Sequence, residues 1–272
     1  MTRWHLQRRG TDGNDSAPVS IDASNIRLSW MTGKSAAQIN ELPVGADGRS
    51  VRLGDLFELT MDDSPTDRIV VEGELDHVHG LAAMHDRGDF EIIGSAGHYA
   101  ACGMTGGRVC VRGDAGDYVA APCGARRSGM SGGVIEIHGG VGNYAGHRMR
   151  RGTLMVRGSA GSMLGGSMVA GTICVGGATG NGLAVGMKRG SVILADAANV
   201  VRQADQDEDG AKRRYSSPIR FDPAFFGLYH EPMFQEITQM LLRLPVFRTR
   251  ADRHVGGLGE VIFAATAETA VS

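Results

Sequence analysis

A nineteen-residue period constrains this chain more than any other feature. Six short alternating apolar runs end on glycine: RIVVEG at Gly73, DFEIIG at Gly94, RVCVRG at Gly113, VIEIHG at Gly139, TLMVRG at Gly158 and TICVGG at Gly177. A seventh, SVILAD, ends at Asp196, and the steps are 21, 19, 26, 19, 19 and 19 residues. The unit is therefore nineteen, with two extra residues in the first repeat and seven in the third. Three residues on lie Gly97, Gly116, Gly142, Gly161 and Gly180, and five on lie Tyr99, Tyr118 and Tyr144, then Met163. Ten on lie Met104, Met149, Met168 and Met187, and thirteen on lie Gly107, Gly152, Gly171 and Gly190. Met130 and Gly133 join these columns when the seven-residue insertion is placed before Met130, around Ala121 to Ser128.

Identical residues recurring in register mean that each repeat is one turn of a solenoid, with like stacked on like. The runs alternate with period two, and Val and Ile hold the inward sites, so the turns are β. The recurrent glycines mark corners that need positive φ or close backbone approach. The expectation is a mainly β protein: a right-handed parallel β-helix of about seven turns over residues 68–196. This accounts for 41 glycines beside only 6% aromatic residues, since ladders of small side chains replace large anchors. Residues 1–67 read as an N-terminal cap, with a strand at Ile26 to Trp30 and a short helix capped by Ser35 and running to about Leu42. Residues 197–272 read as a polar loop (Arg202 to Ser217), an amphipathic helix from Glu231 to Leu244 and a frayed tail from Ala264. In that helix Pro232 sits at the favourable first position and Pro245 supplies the stop. Its apolar side chains are Met233, Phe234, Ile237, Met240, Leu241 and Leu244.

A formal net charge of −2 points to neither nucleic acid nor membrane as a partner of the whole chain. No apolar stretch reaches membrane-spanning length, and the N-terminus lacks a secretory apolar segment. Cys102, Cys110, Cys123 and Cys174 form no C-x-x-C pair, so no metal site is read from spacing, and a cytoplasmic location with free thiols is expected. His77 and His79 would share a strand face, but no third ligand is evident, and His77 aligns with the polar turn site of His98. The methionine column reads as core packing. The Tyr99, Tyr118 and Tyr144 column reads as a stabilising stack, or as a binding face if exposed. No nucleophile motif, metalloprotease motif, phosphate loop or carboxylate pair is present, so no catalytic residue is assigned.

Basic residues form the most distinctive exposed feature. Arg150 and Arg151 lie eleven and twelve residues after Gly139, and Lys188 and Arg189 hold the same sites after Gly177. Arg148 is nearby, and the insertion carries Arg126 and Arg127. Stacking puts these on one edge, as a strip for a polyanion or an acidic partner surface. The competing reading is that arginines keep a glycine-rich edge soluble.

The pattern G-x-x-G-x-Y/M, then a Met site and a second Gly, resembles the GXGXG β-helix domain. That domain ends the large subunit of glutamate synthase, and it forms the C subunit of formylmethanofuran dehydrogenases and of the bacterial formyltransferase/hydrolase complex. The glutamate synthase resemblance covers residues 68–196 only, whereas the C-subunit resemblance covers nearly the whole chain, including the short N-terminal region before Val51 to Leu59 and a short C-terminal extension. Abundant Ala, Gly and Arg with little Lys favours the bacterial complex; the molybdenum or tungsten dehydrogenase is the alternative. The resemblance implies a non-catalytic scaffold in one-carbon metabolism, holding no cofactor of its own. It implies partners: a metal-bearing, amidohydrolase-like A subunit, a B subunit related to molybdopterin enzymes and a formyltransferase D subunit. The carrier it implies is methanofuran or its analogue methylofuran, whose polyglutamate tail the basic strip would guide. An independent β-helix enzyme is the reading from another class. Against it, hexapeptide acyltransferases need an eighteen-residue turn, and lyases a groove of acids and bases.

Overall fold

The computed structural model describes residues 1–10, 20–196 and 214–265 of the 272. The order is β1 (Thr2–Arg8), β2 (Ile21–Asp22), α1 (Leu28–Met31), α2 (Ala36–Asn40), β3 (Pro43–Ala46), β4 (Arg49–Arg52), α3 (Leu53–Leu56) and β5 (Phe57–Asp63). Then come β6 (Arg68–Glu72), β7 (Val78–His79), β8 (Asp89–Ile93), β9 (Arg108–Val111), β10 (Val134–Ile137), β11 (Thr153–Val156), β12 (Thr172–Val175) and β13 (Ser191–Leu194). The chain closes with β14 (Ile219–Arg220), α4 (Pro232–Leu241), β15 (Val246–Ala251) and β16 (Gly259–Ala264). The protein is mainly β. Its large, mostly parallel sheet runs β14-β15-β16-β13-β12-β11-β10-β9-β8-β6-β1-β5, and a smaller sheet runs β4-β3-β2-β7.

The seven strands that end the repeats pair in parallel, in the register set by the period: Val109 faces Ile135, then Leu154, Ile173 and Val192 follow. These side chains and the column two residues on, Val111 to Leu194, are fully buried. A second parallel ladder joins Ala96, Ala115, Val141, Ala160 and Thr179. Between the ladders the polar turn sites bond along the stack. His79 Nδ1 accepts from the His98 amide at 3.0 Å, His98 Nδ1 from Asp117 at 2.9 Å, Asp117 Oδ1 from Asn143 at 2.6 Å and Asn143 Oδ1 from Ser162 at 2.9 Å. Next to this column, Tyr99, Tyr118 and Tyr144 stack with ring centroids 4.9 and 5.0 Å apart.

The methionine column explains one of the glycine columns. Met104, Met130, Met149, Met168 and Met187 are fully buried. A Cβ at Gly133 or Gly152 would lie 2.5 Å from the methyl of Met104 or Met130, respectively. Gly171 and Gly190 stand in the same relation to Met149 and Met168, at 3.0 and 2.8 Å. Each methionine thus fills the space left by the missing side chain one turn further on. These glycines also have φ between +89° and +110°, where a side chain is strained.

Both ends of the stack are covered by strands from outside the repeats. β1 adds in parallel to β6 and buries Trp4 and Leu6, and β5 pairs antiparallel beyond it. At the other end β16 adds in parallel to β13, with Val261 beside Val192 and Phe263 beside Leu194. Gly259 takes the next place in the glycine column, where a Cβ would lie 2.8 Å from the Met187 methyl. Helix α4 covers the outer face of the last repeats: Met233, Phe234, Ile237 and Leu241 cluster with Met155, Cys174 and Ile193.

Several local expectations change. Ile26 to Trp30 is not a strand: Leu28–Met31 is a helical turn that buries Leu28 and Met31 three residues apart, and the N-terminal strand is Thr2–Arg8. The Ser35 capping box is present, and the helix it starts ends at Asn40. Helix α4 begins at Pro232 but stops at Leu241, leaving Met240 and Leu244 exposed. His77 is not the partner of His98. His79 is, so the two extra residues of the first repeat precede the turn site. The polar loop's residues 202–213 and the tail from 266 lie outside the described residues.

Gly152→Ala is expected to destabilise the protein by roughly 2 kcal/mol or more, since it combines overpacking with a strained φ. Denaturant unfolding of the full chain measures this. Met130→Ala in the same background opens the space and should recover part of the loss.

Candidate functional site

Two half-buried or exposed residues separate the buried methionine of each repeat from the glycine at positive φ. In successive turns these pairs are Ser131-Gly132, Arg150-Arg151, Val169-Ala170 and Lys188-Arg189. Backbone bonds hold them one over the next: Arg150 N–H donates to the Met130 carbonyl, Val169 to Met149 and Lys188 to Met168, each at 2.8 Å. Leu258, from the C-terminal hairpin, adds the next rung by donating to the Lys188 carbonyl at 2.7 Å. The result is an open groove of about 940 Å³ with an arginine rung, a short apolar rung and a lysine–arginine rung; Ser128 and Val255 also line it.

The insertion extends this surface. Arg126 and Arg127 line an adjoining cavity of about 260 Å³ that shares Ser128 and Ser131 with the groove. Beyond the other end, Arg250 and Arg253 line a cavity of about 470 Å³ that shares Gly256. Five steps of strand spacing give the whole track a length of about 24 Å. No carboxylate lines any of the three cavities. Among the described residues none of these eight cations makes an ion pair, although thirteen pairs form elsewhere. Eight like charges in a row cost self-repulsion, so an anionic occupant is favoured on Coulombic grounds.

The structure thus brings together Arg150, Arg151, Lys188 and Arg189, and places Arg126 and Arg127 beside them. Arg148 is exposed but lines neither cavity, because it sits before the methionine at a left-handed φ of 51°. Arg250 and Arg253 were not anticipated. They come from a hairpin outside the period, and no repeat position announces them.

A second cleft, of about 680 Å³, opens on the turn side. The His79, His98 and Tyr99–Tyr118 columns line it, with Cys102, Cys123 and His147. His79 and His98 stack at 5.1 Å. Burial, then the neighbouring His98 and His77, hold the His79 imidazole below its ordinary pKa. Since the folded value is depressed, neutral His79 contributes stability above the ordinary value near ~6.5, and this is lost as pH falls through the folded value. His77, His85, His138 and His147 are shifted the same way, chiefly by burial. The melting temperature should therefore fall on acidification below about pH 6.5. His79→Asn retains an acceptor, as Asn143 does at its ladder site, and should flatten that dependence in thermal melts at matched ionic strength. An unchanged slope would remove His79 as a contributor.

No family model matches the sequence. The chain is 37% identical over 80 residues to the C subunit of the formyltransferase/hydrolase complex Fhc of Methylorubrum extorquens, a stretch covering 29% of this chain and 29% of that relative. It is also similar to a chain of the crystal structure of the formyltransferase/hydrolase complex FhcABCD from the same organism, in complex with methylofuran. The TM-score is 0.69 at 27% identity, over 96% of this chain and 99% of that one. No helix among the described residues is long and apolar enough to cross a membrane. The chain is thus similar in sequence, over part of its length, to the C subunit of the formyltransferase/hydrolase complex, and in fold, over nearly all of it, to a chain of that complex.

Proposed function

We propose that this chain is a non-catalytic scaffold in a complex of the formyltransferase/hydrolase type, and that its cationic track holds the anionic tail of the one-carbon carrier. The repeat region is read as a right-handed parallel β-helix, the finer form of the stacked parallel sheet described above. The partners are an amidohydrolase-like A subunit, a B subunit related to molybdopterin enzymes and a formyltransferase D subunit. Formyl groups pass between tetrahydromethanopterin and a methanofuran-type carrier, and hydrolysis to formate takes place on those partners. Both relatives come from the formyltransferase/hydrolase complex, which favours it over a molybdenum or tungsten formylmethanofuran dehydrogenase. The cytoplasm is the compartment that fits such a complex.

The observation that carries the carrier reading is the run of eight cations that, among the described residues, make no ion pair, along about 24 Å of one edge. A polyglutamate tail presents carboxylates at regular intervals along a flexible chain, and guanidinium groups bind carboxylates in paired geometry. The exposed track would hold the tail by charge while leaving the carrier's reactive end free to move. Metals belong to the partner subunits in this reading.

Two measurements test it. The isolated chain should show neither formyl transfer nor hydrolysis, and turnover by it would end the scaffold reading. In the assembled complex, charge reversal of Arg150, Arg151, Lys188 and Arg189 to Glu should leave the set of bound partners intact and lower carrier retention at least tenfold, with the loss shrinking as salt rises. Unchanged retention would remove the track from carrier binding.

A further inference from the structure

The outer face of the large sheet changes character along its length. Helix α4 covers its last repeats, while its middle carries charged and ligating side chains. Cys110 on β9 and Glu136 on β10 are direct register partners. His138 lies two residues beyond Glu136, on the same face by strand alternation. One donor atom from each residue, the thiol sulfur, a carboxylate oxygen and an imidazole nitrogen, lies within 4.8 Å of the other two. All three residues are partly buried.

We propose that Cys110, Glu136 and His138 form a binding site for a divalent transition-metal cation of the zinc type. Thiolate and imidazole select zinc or cobalt over calcium or magnesium, which prefer all-oxygen shells. With metal–ligand bonds of roughly 2.0–2.3 Å, two ligands of one ion lie no more than about 4.6 Å apart. The donor atoms, within 4.8 Å of one another, are close to that limit, so small side-chain rotations close the trio around an ion. On binding, the Cys110 thiol gives its proton to solvent and its sulfur takes up the metal. Three ligands leave a fourth position for water or for a group from another protein chain.

Two arginines now hold the donors. Arg108 donates to Glu136 at 2.5 Å, and Arg112 donates to His138 Nε2 at 3.3 Å. Arg112 also pairs with Glu91 at 2.6 Å, so it can release the imidazole and stay neutralised. The guanidinium groups are thus competitors of the cation. A purely structural network and a metal site then predict opposite effects of removing Arg112: no binding to alter in the first case, tighter binding in the second.

Cobalt(II) is the probe, added to the chelator-treated full chain. The expected result is one equivalent bound, with a thiolate-to-cobalt charge-transfer band that excess zinc removes. Cys110→Ser should abolish the band, while Cys102→Ser with Cys123→Ser retains it. Glu136→Gln and His138→Gln should each weaken binding by at least the roughly tenfold that loss of even an outer-shell partner causes. Arg112→Gln should tighten it several-fold, with circular dichroism confirming the fold of each variant. Absence of the band in the parent chain, its persistence in Cys110→Ser, or weaker binding in Arg112→Gln would each overturn the proposal.

Discussion

The architecture depends on the fit of a methionine methyl into the space beside a glycine one turn away. Five methionines make this contact in succession, four with repeat glycines and the last with Gly259 of the C-terminal hairpin. The two partners constrain each other. A side chain on the glycine would collide with the methyl, and a shorter residue in place of methionine would leave a void along the core. Full burial of one such side chain contributes roughly 1.5–3 kcal/mol, so the column is a substantial share of what holds the turns together. It also fixes the register, because beyond the first contact a slip of one residue in either direction would set methionine against a residue with a Cβ.

That constraint decides where chemistry can reside. The inward columns are committed to packing, and the polar turn sites are committed to bonding the next turn's amides. The two residues between methionine and glycine carry neither duty. Their backbone is tied to the neighbouring turns, and in two of the turns both side chains are exposed, so long polar residues fit there. Here they hold Arg150, Arg151, Lys188 and Arg189. A surface built this way has rigid spacing at strand intervals and long, mobile side chains, a combination that suits a flexible polyanion better than a small rigid ligand.

The ends of a stacked sheet are open edges, and this chain closes them with its own non-repeating segments. β1 and β5 cover one end, and β16 and β15 the other. The outer face is divided in the same way. Met155, Cys174 and Ile193 lie beneath α4, whereas Glu91, Cys110 and Glu136, one to three turns earlier in the same row, meet Arg68, Arg108 and Arg112 instead. An apolar row accepts a helix, and a charged row refuses one. The uncovered half is therefore left for solvent, a cation or another protein chain.

The sequence by itself determined whatever the period could carry. The seven strands, the buried methionines, the stacked tyrosines, the insertion before Met130 and the four central cations of the groove all follow from stacking each residue on its equivalent one repeat later. In a parallel in-register stack, sequence spacing is spatial adjacency, so these features can be read without coordinates. Tertiary structure decided what lies outside the period. Trp4 and Leu6 became the end strand in place of Ile26 to Trp30, whose apolar alternation was too short to distinguish a strand from a single helical turn. Arg250 and Arg253 joined the cationic track because the C-terminal hairpin folds back onto the last turn. Cys110, Glu136 and His138 met across the one step lengthened to twenty-six residues, where no ligand spacing in the sequence announces them. Long-range closure depends on which surfaces remain apolar after the stack has formed, and no local pattern encodes that.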